Sequence, residues 1–114
     1  MNHWLDVESA RTWGYVCSRD VLELTNQVRA LYFNGAARVL IDSTDGVEPR
    51  ERPAFAFLLQ PLHLRNGDTL LIASDDVFGH DPEKAGLLER ELEAGGIAVW
   101  RVAVNEDISP MGPR

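Results

Sequence analysis

The chain is short of most residues that would announce a chemistry. One cysteine among 114 residues, Cys17, allows no internal disulfide and no paired-thiolate metal site. Lysine and arginine number 11 against 18 acids, a formal charge of −7, so no sequence-wide attraction to a phosphate backbone exists. No apolar run approaches the ~20 residues that span a bilayer, and MNHWLDVESA lacks the basic and apolar regions of a signal peptide, so a cytoplasmic location is expected. Gly14, Gly35, Gly67 and Gly79 are scattered rather than gathered into a phosphate-cradling loop. There is no internal repeat and no low-complexity tract.

What is present is a 45% apolar composition in a chain of single-domain length. Residues 12–17, TWGYVC, have the β-branched and aromatic character of a first strand. Residues 20–33 place Val21, Leu24, Val28, Leu31 and Tyr32 at helical spacing, with Asp20 as N-cap and Asn34-Gly35 as the stop. AARVLID at 36–42 reads as a second strand, STDGVEPRER as a polar loop, and Pro53 as a helix start, with Pro61 ending or kinking that helix. DTLLIAS at 68–74 is a third strand after the Asn66-Gly67 turn, Pro82 opens a helix striped by Leu87, Leu88 and Leu92, and IAVWRVAV at 97–104 is a fourth strand.

Alternating strands and helices predict an α/β fold of three layers, about four mostly parallel strands with helices on both faces. The domain is expected over residues 11–104, between an N-terminal extension at 1–10 and a C-terminal tail at 105–114. Trp100 reads as a core residue, leaving Trp4, with Leu5, as the aromatic available to a partner.

Open α/β sheets bind ligands beyond the carboxyl ends of their strands. If strand one lies between two and three, the loops carrying Cys17 to Asp20, Asp42 to Arg52, and Ser74 to Asp81 meet. Asp42, Asp45, Asp75 and Asp76 are candidates for a Mg²⁺ site, with His80 as a further ligand, although aspartate is also common in turns and helix caps. His80 followed by Asp81 reads as an acid/base pair or, more blandly, as a loop residue before an N-cap. Ser18 is a candidate nucleophile at a strand end and equally a polar loop residue; Cys17 reads as a small buried apolar residue. His3 and His63 carry no motif.

GYVCS at 14–18, QVRAL at 27–31 before Asn34-Gly35, ID at 41–42, DG at 45–46, Arg52-Pro53, NGDTLLI at 66–72 and GGIAVWRV at 95–102 together resemble the catalytic domain of the serine recombinases, the resolvase and invertase family. The resemblance runs from about Trp13 to Val104 and implies a parallel-rich α/β domain. In that family a serine attacks a DNA phosphodiester to form a covalent phosphoserine link, and a cluster of arginines stabilises the charge on the phosphoryl oxygens.

The resemblance implies Ser18 as the nucleophile, matched through a one-residue gap, with Asp42 and Arg52 on the family's acidic residue and loop arginine. Asp76, Phe78 and Gly79 fall on its aspartate-arginine-leucine-glycine-arginine loop. Three arginines are replaced, by Cys17, Val77 and His80, and losing even one such cation costs ~10³ to 10⁵ in rate. The sequence given ends at SPMGPR, where the family's long dimerisation helix begins, so neither that helix nor the DNA-binding domain after it is expected.

The expectation is therefore a catalytically inactive, serine-recombinase-like domain that binds a protein partner or regulates one, without direct nucleic-acid binding and without a cofactor. A homo-oligomer remains open. The alternative is a repurposed metal-dependent phosphoryl-transfer or hydrolase site on Asp42, Asp75, Asp76 and His80.

Overall fold

The computed structural model describes residues 11–43, 47–60 and 63–104. The extension at 1–10 with Trp4 and Leu5, the loop residue Asp45, Pro61, and the tail at 105–114 lie outside the described residues.

Four strands form one sheet: β1 (Thr12–Cys17), β2 (Arg38–Asp42), β3 (Thr69–Ile72) and β4 (Ala98–Arg101). Their order is β2-β1-β3-β4 and every pairing is parallel. Parallel neighbours require crossovers, which α1 (Val21–Phe33), α2 (Pro53–Leu58) and α3 (Pro82–Ala94) supply. Two short 3₁₀ turns, Pro49–Glu51 before α2 and Asp75–Phe78 before α3, were not legible as regular structure in the sequence.

Strand alternation divides the core in two. Tyr15, Leu70 and Ile72 point to one face, where they pack with Phe55 and Leu58 of α2 and Leu88 and Leu92 of α3. Val16 and Leu71 point to the other, where Leu31 of α1 covers them. The result is the expected three-layer α/β domain. Gly14 lets α1 sit close on β1, since a Cβ there would stand 2.9 Å from Leu31 Cδ1 and 3.0 Å from Val39 Cγ2. The starts of α1 and α3 follow their capping signals: Asp20 accepts from the N–H groups of Leu22 and Glu23, and Asp81 from those of Glu83 and Lys84.

Two assignments of core residues are corrected. Trp100 is 63% exposed, because its register partner Leu71 is sheltered by α1 while β4 lies at the sheet edge, away from that helix. Leu87 is exposed too; α3 buries Leu88 and Leu92, and Leu87 falls one residue off that stripe. Among the described residues no helix is long and apolar enough to cross a membrane.

Candidate functional site

With β1 between β2 and β3, the loops after these three strands do meet. Beyond their carboxyl ends lies a pocket of about 220 Å³ whose wall includes Ser18, Asp20, Glu23, Gln27, Arg52, Asp76 and His80. It brings together Ser18, Arg52 and Asp76 from the resemblance, while Asp42 lies beneath it.

Ser18 is held by its neighbours on both sides. Its backbone N–H donates to the Asp42 carbonyl at 3.1 Å, which extends the β1–β2 ladder by one residue. Its hydroxyl accepts the Asp20 N–H at 3.1 Å and donates to Glu23 Oε1 at 2.7 Å. In a capping box the residue three beyond the N-cap reaches back to the N-cap's own N–H. Here Asp20 is the N-cap and Glu23 that third residue, and the hydroxyl of Ser18 relays the bond between them.

Asp42 does structural work under the pocket. Its carboxylate accepts from Tyr15 Oη at 2.7 Å and from the N–H groups of Ala54 at 2.9 Å and Phe55 at 3.0 Å. It thereby caps α2, whose own N-cap Arg52 makes no side-chain cap bond. Arg52 is 2% exposed. Its Nε donates to the Val47 carbonyl at 3.1 Å, and its Nη1 to the Val77 carbonyl at 2.7 Å and more weakly to Tyr15 Oη at 3.5 Å. Tyr15 thus joins the two buried charges, and burial above all raises its phenol well beyond the ordinary range.

The octapeptide SDDVFGHD begins with Ser74 capping a 3₁₀ turn, its Oγ accepting the Asp76 N–H at 3.1 Å. Val77 and Phe78 turn into the core, and Gly79 takes a φ of 106°, the left-handed region that glycine enters without strain. Val77 therefore offers the pocket no donor: its side chain is buried and its carbonyl is taken by Arg52. His80 stands in solvent 3.9 Å from Asp76, and Asp81 is the helix cap that the bland reading expects.

Of the aspartates expected to converge on a metal, Asp45 lies outside the described residues, and two of the others are engaged elsewhere. Asp42 is committed to Tyr15 and α2, and Asp75 is drawn away to Arg101. Among the described residues no three His, Cys, Asp or Glu side chains form a group that could hold a metal ion. Of Asp42, Asp75, Asp76 and His80, Asp42 and Asp75 already serve the fold, while Asp76 and His80 stand exposed 3.9 Å apart.

Three residues that matter at this edge were missed in the sequence. Glu23 has a usable signal, the Asp-x-x-Glu spacing from Asp20. Gln27 sits in the QVRAL motif, yet the sequence says nothing of its state: it is 4% exposed, and its Oε1 has no hydrogen-bond partner. Arg101 donates to both carboxylate oxygens of Glu89, at 2.7 and 3.0 Å, and also to Asp75, tying β4 and α3 to the octapeptide. That network raises the Arg101 guanidinium, and the Arg101 bond holds Glu89 below the usual carboxylate value.

No protein-family model and no curated protein matches this sequence. Among solved structures, the chain is similar to the C-terminal catalytic domain of ISC1926 TnpA, an IS607-like serine recombinase, with a TM-score of 0.65 and 17% identity, over 91% of this chain and 71% of that one. The fold is that of a serine-recombinase catalytic domain.

Proposed function

We propose that this chain is a serine-recombinase-like domain that does not carry out phosphoryl transfer and works as a protein-binding or regulatory module. The observation that carries the reading is the bond from the Ser18 hydroxyl to Glu23 at 2.7 Å. A phosphodiester approaching Ser18 Oγ would meet a carboxylate in contact with that oxygen, and its own negative charge would be repelled. Phosphoryl transfer needs the opposite field, cations aimed at the developing charge.

The one arginine retained from the family's set does not restore that field. Arg52 spends Nε and Nη1 on two carbonyls and Tyr15, and the loop positions of the family's other arginines hold a core valine and an exposed histidine. Neutral imidazole cannot replace a guanidinium fork. For a binding role, Val21 and Leu22 are largely exposed immediately after Asp20, and Trp100 is exposed on β4, side chains of the kind that anchor protein partners.

The test is incubation with supercoiled plasmid and with a labelled duplex, reading nicked product and fluorescence anisotropy. Neither nicking nor saturable binding is expected at near-physiological salt. Nicking that Ser18→Ala abolishes would overturn the reading.

A further inference from the structure

We infer that the pocket at the carboxyl edge of the sheet receives the guanidinium of an arginine side chain presented by a protein partner. The inference deepens the binding-module reading and rests on it.

Buried polar side-chain atoms nearly always have a partner, and leaving one without costs stability. Gln27 breaks that rule: it is 4% exposed, lines the pocket, and its Oε1 accepts nothing. An acceptor left without a partner in a residue that lines a pocket can be satisfied by a donor entering that pocket. Glu23 stands four residues earlier on α1, so the two side chains are neighbours on one helix face. Glu23, whose Oε1 accepts from Ser18, and Gln27 thus supply two acceptor side chains to the pocket wall.

Charge selects a cation for these acceptors. The buried pair Asp42 and Arg52 is joined through Tyr15, so each offsets the other. The remaining wall carries Asp20, Glu23 and Asp76 against Arg19, which is itself engaged. An anion would ordinarily favour the start of α1. There, however, Asp20 Oδ1 already accepts from the Leu22 and Glu23 N–H groups, so the chain's own carboxylate fills that role.

Shape narrows the ligand further. A volume of about 220 Å³ is below the range of most small-molecule pockets and suits the end of one side chain. A guanidinium presents its donors as a planar fork able to bridge two acceptors, which a lysine ammonium does as a single point. Exposed Val21 and Leu22 beside the pocket fit apolar residues flanking that arginine.

The experiment is a titration of the full chain, followed by ¹H–¹⁵N correlation spectra, with N-acetylarginine methylamide and separately with inorganic phosphate. The arginine probe is expected to shift the Gln27 side-chain amide and the Glu23 backbone amide saturably; phosphate is expected to shift neither. Gln27→Leu should weaken the probe about tenfold, the loss of one charge-assisted hydrogen bond, while its urea midpoint stays at or above that of the parent. Glu23→Gln, which keeps side-chain size, should weaken it comparably and covers the case that Gln27→Leu fails to fold. Absence of arginine-induced shifts, retention of affinity in both variants, or a phosphate response at the same amides would overturn the inference. Plasmid nicking would overturn the non-catalytic reading instead, so the two failures are distinguishable.

Discussion

The hydroxyl of Ser18 donates to the carboxylate of Glu23 at 2.7 Å, across the single turn that joins β1 to α1. The serine closes a helix cap with the hydrogen that a nucleophile would have to surrender. If that bond is a structural one, the two residues are energetically coupled. A double-mutant cycle of Ser18→Ala and Glu23→Gln, measured by urea denaturation, should give a coupling of about 1 kcal/mol. Additive effects would mean that the bond contributes nothing to the fold.

Loss of the Asp42 carboxylate leaves three donors without their acceptor. Asp42 is buried, caps α2 through two N–H groups and holds the Tyr15 hydroxyl. Asp42→Ala strands the Tyr15 hydroxyl and two backbone N–H groups, at about 1 to 3 kcal/mol for each group left buried without a partner. Denaturant melts should show a large fall in midpoint, with Asp42→Asn milder. An unchanged midpoint would remove Asp42 from the core network.

Tyr15 makes the fold sensitive to alkali. Its phenol is raised by burial above the value of ~10 for an unfolded chain. The unfolded state therefore loses this proton first, so the stabilisation is whole below pH ~10 and is lost as pH climbs above it. In a Tyr32→Phe background, tyrosinate absorbance should rise together with the loss of far-UV circular dichroism. Ionisation of Tyr15 ahead of unfolding would contradict its burial.

Arg101 ties the octapeptide to β4 and α3 through Asp75 and Glu89. Because Arg101 holds Glu89 below its usual value, the stabilisation is present above the ordinary glutamate range and is lost as pH falls through the lowered value. The groups are partly exposed, so Arg101→Gln should cost about 1 kcal/mol or less at neutral pH. The gap between variant and parent should shrink with acid and with salt. A gap that ignores both would point to packing rather than charge.

Gly14 is required by contact rather than by turn geometry. Its missing side chain leaves room for Leu31 and Val39, so Gly14→Val should destabilise by about 1 to 3 kcal/mol through overpacking. Thermal melts check this, and a neutral result would mean that α1 shifts freely on β1.

Much of the fold was legible because it rests on local signals. Asp20, Pro53, Asp81 and the run TWGYVC mark their elements by capping chemistry and apolar continuity, and the structure follows them. Trp100 was misread since an apolar strand does not reveal which of its faces a helix will cover. The site was legible only in outline. Loop convergence followed from strand order, but the diversion of Asp42 to α2 and of Asp75 to Arg101 depends on residues distant in sequence. Gln27 is the extreme case, for no local pattern announces an acceptor without a partner.

The most direct test of the account is covalent. A duplex carrying a nick, which allows the cleaved end to diffuse away and traps any protein–DNA link, is incubated with the chain and the intact protein mass is measured. Unmodified protein is the predicted result. A mass increase that maps to Ser18 and vanishes in Ser18→Ala would contradict the account.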